Sequence, residues 1–112
     1  MVFVIAGCMT MGPQGKALRT WRSKKSTVTE RLDATKSLLT EGQSITSVTN
    51  LLGPGKTLIQ SKMITTKEGE KEALYGLPYS FPDGQIVLNF RFKNLVRADW
   101  KYYDADVFKR KQ

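Results

Sequence analysis

A strict alternation of apolar and polar residues in the second half of the chain constrains the fold more than any other feature. Three runs repeat with a period of two, which is the side-chain period of a β-strand with one face in a core. The residues expected to face the core are Ala73, Tyr75, Leu77 and Tyr79 in the first run, Ile86, Leu88, Phe90 and Phe92 in the second, and Val96, Ala98, Trp100 and Tyr102 in the third. The pattern therefore predicts three half-buried strands.

The connections between these strands are short. Pro82-Asp83-Gly84 is a turn sequence, because proline presets the bend, aspartate bonds nearby backbone and glycine tolerates a positive φ. Lys93-Asn94 is expected to form the second turn. Short connections require antiparallel neighbours, so the strands are predicted to form a meander. Residues 57–66 fit either a loop or an extra strand, and residues 66–71 an exposed tip.

Two helices are expected before the strands. Thr27 and Glu30 form a T-x-x-E capping box, and Gly42 follows the first helix, predicted at residues 27–39. Ser44 can cap a second helix that ends at Gly53-Pro54. The apolar faces are Val28, Leu32, Thr35 and Leu39 in the first helix and Ile45, Val48, Leu51 and Leu52 in the second. The predicted fold is α+β, with two short N-terminal helices packed on a three-stranded antiparallel meander sheet.

The charge is unevenly distributed along the 112 residues, which suit a single domain. The net charge of +8 divides into +5 over residues 9–40, 0 over 41–79 and +3 over 80–112. Residues 8–26 lack apolar periodicity and are interpreted as a basic tether, residues 27–104 as the domain and residues 105–112 as a basic tail. Trp21 in the tether either packs onto the domain, which we favour, or lies at a membrane interface.

The only cysteine, Cys8, follows Ile5-Ala6-Gly7. An aliphatic residue and two small residues before a cysteine are the pattern of a bacterial lipobox, in which the thiol carries diacylglycerol and the mature protein further acyl chains such as palmitate. A signal peptide needs a basic region and about 7 to 15 apolar residues upstream. Residues 1–7 are too few for this, so we interpret them as a truncated signal remnant; if the tetrad is a coincidence, the protein stays in the cytoplasm.

Catalysis is disfavoured by the composition. The chain has no histidine to act as a base near neutral pH, and its cysteine lies outside the predicted domain. The segment Gly53-Pro54-Gly55-Lys56-Thr57 resembles the end of a P-loop, but position 50 is asparagine rather than glycine and the segment follows a helix. We therefore expect a protein that is not an enzyme, with no metal and no cofactor.

A binding face is expected on the side of the sheet that points away from the helices. Its candidate residues, chosen as outward strand cations and a terminal aromatic, are Arg91, Lys93, Arg97, Lys101 and Tyr103. Single-strand nucleic-acid binders combine such cations with exposed aromatics for base stacking. Because nearly every other strand aromatic is predicted to face the core, nucleic-acid binding is disfavoured.

The order of lipobox, tether, two helices and meander resembles the SmpA/OmlA family of small outer-membrane lipoproteins, over about residues 28–103. The family motif is roughly G-[MQS]-[ST]-x-x-x-V-x-x-x-L-G-x-P. The matching residues here are Gly42-Gln43-Ser44, Val48 and Leu52-Gly53-Pro54, with the proline one position earlier than usual. Tyr75, Asp83-Gly84 and the strand from Val87 to Phe90 also look like the family's sheet.

The resemblance implies a non-enzymatic lipoprotein that is anchored through Cys8 in the outer membrane of a Gram-negative bacterium and faces the periplasm. Its domain would bind or scaffold another envelope protein, in outer-membrane protein assembly or envelope integrity, and its cations would contact anionic headgroups. Two alternatives remain open: a soluble basic nucleic-acid-binding or mobile-element protein, and a small protein inhibitor on the same scaffold.

Overall fold

The computed structural model describes residues 13–92 and 95–110, and they form an α+β fold. Three helices cover one face of a four-stranded antiparallel sheet whose strand order is β1-β2-β3-β4. The elements are α1 Pro13–Arg22, α2 Val28–Leu38, α3 Ile45–Leu52, β1 Ile59–Thr65, β2 Lys71–Phe81, β3 Gly84–Arg91, a 3₁₀ turn Arg97–Asp99 and β4 Lys101–Lys109. The predicted α+β class is confirmed, with one more helix and one more strand than expected.

The additional helix corrects the prediction of a flexible tether, since residues 13–22 are helical and packed against the domain. Trp21 is 5% exposed and makes edge contacts with Tyr79 and Phe81 at centroid distances of 5.2 and 5.3 Å. Its Nε1 donates to the carbonyl of Leu52 at 3.2 Å. Among residues 15–22 of this short helix, Ala17 and Trp21 are buried and Leu18 is partly buried, and Trp21 contacts the aromatic rings of β2.

Arg31 joins α1 to the rest of the core. Its Nε and Nη2 donate to the carbonyls of Trp21 and Ser23 at 3.2 and 2.5 Å, at the C-terminal end of α1. Its guanidinium lies 4.0 Å from the centroid of the Phe81 ring. The side chain, which is 4% exposed, therefore satisfies carbonyls at a helix end and packs on an aromatic face, while its Nη1 is buried without a hydrogen-bond partner among the described residues.

The predicted start of α2 is confirmed. The Thr27 side chain accepts from the backbone N–H of Glu30 at 3.1 Å, and the Glu30 carboxylate accepts from the N–H of Thr27 at 2.8 Å. The Asp83 carboxylate, 55 positions away in the β2–β3 turn, accepts from the N–H of Val28 at 2.9 Å. The turn aspartate thus caps a helix from a distance, a role that its local sequence does not indicate.

The motif from Gly42 to Pro54, which carries the family resemblance, has structural roles at the two ends of α3. Ser44 caps the helix by accepting from the N–H of Ser47 at 3.2 Å, and Gly53 ends it with a φ of 102°. Gly42 has a φ of 94° and donates its N–H to the carbonyl of Tyr102 at 2.8 Å. Val48 and Leu52 point into the core, so the motif positions α3 against the start of β4. Pro54 follows the helix in an irregular segment.

The strands agree with the predicted alternation in β2 and β3 and differ at both edges. Residues 59–65 form the extra strand β1 that the sequence left open, and residues 66–70 form the exposed tip between β1 and β2. Leu77 pairs with Leu88 and Tyr79 with Ile86, so the inward rows of β2 and β3 are adjacent under the helices.

The last strand corrects two expectations. Val96, predicted to face the core, is 57% exposed, and residues 97–99 form a 3₁₀ turn closed by the N–H of Trp100 on the carbonyl of Arg97. The strand runs to Lys109, so residues 105–109 belong to the domain rather than to a basic tail. Residues 105–109 stay in the sheet because they pair with β3. Ala105 lies opposite Leu88 and Val107 opposite Ile86, so both continue the row of side chains that faces the helices. The predicted turn at residues 93–94 lies outside the described residues.

Candidate binding surface

The face of the sheet opposite the helices, called here the uncovered face, contains side chains that are buried although no helix of residues 13–92 and 95–110 lies over them. The strand register places Leu74, Gly76, Val87 and Asn89 on it, in two adjacent strands. Leu74 and Asn89 are 0% exposed and Val87 is 4% exposed. These buried positions lie on the two central strands, between the edge strands β1 and β4, and are called here the recess of the uncovered face.

A polar network crosses the recess. Asn89 Nδ2 donates to Asp104 Oδ1 at 2.7 Å and to Asp106 Oδ2 at 2.8 Å. Lys62 Nζ, from β1, lies 3.0 Å from Asp104 Oδ2 and 3.1 Å from Asp106 Oδ2. Three of the four strands therefore meet in one cluster with two carboxylates and one ammonium.

The two carboxylates keep Lys62 charged. Burial by itself lowers the pKa of Lys62, but its hydrogen bonds and charge interactions with Asp104 and Asp106 outweigh that effect and raise the pKa above its ordinary value. With two aspartates and one lysine, the network contains one more acidic than basic group.

One end of the recess opens into a cleft of about 250 Å³, called here the Asn89 cleft. Its lining includes Ile59, Ser61, Val87, Asn89, Asp106 and Phe108. Ile59 and Phe108 are 50% and 57% exposed, so the cleft has apolar walls that face solvent. Apolar walls around a few polar groups are typical of ligand-binding and protein-binding sites.

A second cleft, of about 390 Å³, lies where β1 leads into the exposed tip. Its lining includes Glu41, Ile64, Lys67, Glu68, Arg91 and Tyr103. Arg91 is held by Glu72, with Nε–Oε1 and Nη2–Oε2 distances of 2.6 and 3.1 Å, and this hydrogen bonding raises the pKa of Arg91. Because both acidic and basic side chains line this cleft, it is not a uniformly basic surface.

The structure brings together part of the predicted binding face. Arg91 and Lys101 are cross-strand partners on the uncovered face, and Tyr103 lies beside Arg91. Arg97 is instead in the 3₁₀ turn, near enough to Tyr79 to oppose the rise in the pKa of its hydroxyl. Lys93 lies outside the described residues, as do Ile5, Ala6, Gly7 and Cys8 of the lipobox.

The sequence prediction missed the residues at the centre of the face. Asn89 in an otherwise apolar strand and the pair Asp104 and Asp106, two positions apart, were the available signals. Their meeting with Lys62 depends on partners 15 to 42 positions apart, and no local pattern predicts such a meeting.

The helical side of the domain has a different charge. Lys16, Arg19 and Arg22 are exposed on α1, and Lys24 and Lys25 follow in the next loop. None of the five makes an ion pair with another described residue. At 100° per residue, Arg19 lies opposite the buried stripe of Ala17 and Trp21, so α1 presents its cations away from the sheet.

Among the described residues, no helix has the length and apolar character needed to cross a membrane. No group of three or more cysteine, aspartate or glutamate side chains in residues 13–92 and 95–110 is placed to hold a metal ion.

In comparisons with known proteins, no family model, no curated protein and no solved structure matches this chain. The resemblance to the SmpA/OmlA family therefore stays a prediction that rests on the motif between Gly42 and Pro54.

Proposed function

We propose that this protein is a non-enzymatic envelope lipoprotein of the SmpA/OmlA type, whose domain binds another envelope protein through its uncovered face. The observation that carries the proposal is the combination on that face of exposed apolar residues with a recessed polar network. Ile59 and Phe108 flank a recess that contains Asn89 and Asp106. Protein interfaces have a related composition, with apolar and aromatic anchors next to a few polar groups.

The placement of α1 supports a membrane-proximal orientation of the helical side. Five residue steps separate Cys8 from the start of α1, and an extended chain of that length spans at most about 18 Å. A lipid on Cys8 would thus hold the cations of α1 close to anionic headgroups, where each cation contributes about 1 kcal/mol. The uncovered face, on the opposite side of the sheet, would then point towards the periplasm and its proteins.

Site-specific photo-crosslinking tests the binding face. A photoreactive phenylalanine analogue at position 108 is expected to form an adduct with one envelope protein when the full-length protein is expressed in its own host. The matched control carries the analogue at position 33, on the exposed surface of α2, where Asp33 is about 70% exposed. Adducts of equal yield at both positions, or none at position 108, would reject the uncovered face as the interface.

The anchor is tested by replacing Cys8 with serine in the protein expressed with its native upstream region. The lipoprotein hypothesis expects acyl mass on Cys8 in the wild type and release of Cys8→Ser from washed membranes. An unmodified Cys8 in the native protein would remove the lipid anchor and the outer-membrane location from the proposal.

Nucleic-acid binding is a second candidate because the five cations of α1 and the following loop make no ion pair with another described residue. It predicts salt-sensitive retention of DNA or RNA. Retention should fall with Arg19→Ala plus Arg22→Ala if α1 is the site, and with Arg91→Ala plus Lys101→Ala if the predicted strand face is the site. An absence of binding at low salt would exclude this candidate.

A further inference from the structure

The amide of Asn89 has an unused hydrogen-bond acceptor at the floor of the Asn89 cleft. Asn89 is 0% exposed, and its Nδ2 is committed to Asp104 and Asp106. Its Oδ1 is buried and has no hydrogen-bond partner in the described part of the chain. A buried acceptor in this state carries a desolvation cost that a donor from a ligand would relieve.

The missing side chain of Gly76 lets Val87 and Ser61 pack closely over the strand beside this oxygen. A Cβ at Gly76 would lie 2.5 Å from Val87 Cγ1, 2.9 Å from Ser61 Cβ and 3.4 Å from Asn89 Oδ1. These three side chains all line the cleft, so Asn89 Oδ1 is at its floor. Glycine inside a strand often marks a close approach of another group to the backbone, and here Val87 and Ser61 make that approach over Gly76.

The polar network leaves a negative charge next to the same oxygen. Asp106 receives both Asn89 Nδ2 and Lys62 Nζ on its Oδ2, so neither contact uses its Oδ1. Asp104 uses one oxygen for each of these partners. The cleft therefore combines a carboxylate oxygen, an amide oxygen and the excess charge of one carboxylate, which together select a cationic hydrogen-bond donor.

The apolar walls of the Asn89 cleft favour one shape of cationic donor. Phe108 and Ile59 are half-exposed on opposite edge strands, and about 250 Å³ between them accommodates one long side chain. A guanidinium has several donors in one plane and stacks on aromatic rings, whereas an ammonium is compact and more strongly hydrated. An arginine side chain satisfies both acceptors and packs its stem on the apolar walls.

We infer that the Asn89 cleft binds an arginine side chain presented by the protein partner, an inference that rests on the proposed function for the identity of the partner. The guanidinium donates to Asn89 Oδ1 and Asp106 Oδ1 and stacks on Phe108. A high net charge on the domain does not prevent this contact, because the local field is set by the nearer charges of Asp104, Asp106 and Lys62.

A nitrogen-15 NMR titration of the full chain with N-acetyl-L-arginine methylamide tests the inference. We expect saturable shifts of the Asn89 side-chain amide and the Gly76 backbone amide, with a Kd on the order of 1 to 10 mM for this small probe. N-acetyl-L-citrulline methylamide is the matched probe, because it keeps the shape and loses the charge. It should bind at least tenfold more weakly.

Variants assign the binding to the cleft. Asp106→Asn is expected to weaken binding of the arginine probe at least tenfold, whereas Asp33→Asn, which removes the same charge from α2, should leave it unchanged. Phe108→Ala, at an exposed position, should weaken binding several-fold and serves as the second test if Asp106→Asn does not fold. Equal binding of both probes, no shift at Asn89 and Gly76, or wild-type binding by both cleft variants would overturn the inference.

The test separates this inference from the proposed function. Probe binding at Asn89 supports the arginine site whether or not Cys8 carries lipid. Crosslinking at position 108 without probe binding overturns the arginine site and leaves the uncovered face as an interface of other chemistry.

Discussion

The two faces of the sheet are buried by different means, although both belong to the same strands. On the covered face, the fully buried Leu77, Ile86, Leu88 and Phe90 pack under three helices. On the uncovered face, Leu74 and Asn89 are equally buried although none of the described helices lies above them. There Asn89 is held by a polar network with Asp104 and Asp106 of an edge strand. An alternating pattern therefore shows which residues share a face, but burial depends on what packs against that face.

The largest effect is expected from breaking the cover at α1. Trp21→Ala should lower the free energy of unfolding by about 3 to 5 kcal/mol, because it removes a buried indole from its contacts with Tyr79 and Phe81. Urea denaturation measures the change. Arg19→Ala, exposed on the same helix, is the control and should change stability by less than about 0.5 kcal/mol. Equal stabilities of the two variants would restore the tether interpretation.

The second-largest effect is expected from raising the pH, which should lower the stability contributed by two tyrosines of the covered face. Burial raises the pKa of Tyr79 to about 12, with Arg97 opposing the rise, and burial followed by the charges of Asp104 and Asp106 raises the pKa of Tyr102 to about 12. Each folded pKa is above the ordinary value of 10, so the folded state holds these protons more tightly. This stability is complete below pH 10 and is lost as pH rises from 10 through 12.

The loss should be on the order of 2 to 3 kcal/mol for each tyrosine, from two pKa units at about 1.4 kcal/mol per unit. Urea unfolding from pH 8 to pH 12 measures it. Tyr79→Phe also loses the hydroxyl hydrogen bond to the carbonyl of Gly53 and should be less stable at pH 8. The variant with both Tyr79→Phe and Tyr102→Phe should show a much flatter profile, and a wild-type decline in that variant would contradict the assignment.

Breaking the network on the uncovered face should have a smaller effect. Asn89→Leu keeps the approximate volume and removes both donors to Asp104 and Asp106, which is expected to cost about 1 to 2 kcal/mol. Chemical denaturation at pH 7 gives the value. Asn50→Leu on the exposed side of α3 is the matched control, and a loss no greater than that of this control would show that the network contributes little to stability.

The smallest effect is expected at the rim of the uncovered face. A double-mutant cycle with Arg91→Ala and Glu72→Ala should give a coupling energy of about 0.2 to 1 kcal/mol that decreases with salt, because both groups are partly solvated. The pair Asp33 and Lys36, 3.7 Å apart and about 70% exposed, is the comparison and should couple less. A larger coupling at Asp33–Lys36 would reverse this ranking.

Features that depend on neighbours in sequence could be predicted. The capping box of Thr27 and Glu30, the cap at Ser44 and the helix end at Gly53 each involve residues within four positions, so the local sequence contains the whole interaction. The alternation of β2 and β3 was predictable for the same reason. Helix α1 was not, because its two buried residues become an apolar face only when β2 lies against them.

The candidate site was predictable only at its edge. Arg91, Lys101 and Tyr103 follow from the alternation, but Asp104 and Asp106 do not, because a strict period of two would place them on the same face as Tyr102. The register shift between Asn89 and Phe90 inserts one residue in β4 and turns both aspartates to the uncovered face. No residue pattern in β4 marks that shift.

The sequence by itself determined the helix caps, the antiparallel order of the strands from β2 onward and the α+β class, since short-range contacts and short connections decide them. Only the tertiary structure decided that α1 is part of the domain, where β4 begins, and that Lys62, Asn89, Asp104 and Asp106 meet. The physical reason is that these features are set by packing between residues distant in sequence, where the position of one strand determines which side chains of the next can be buried.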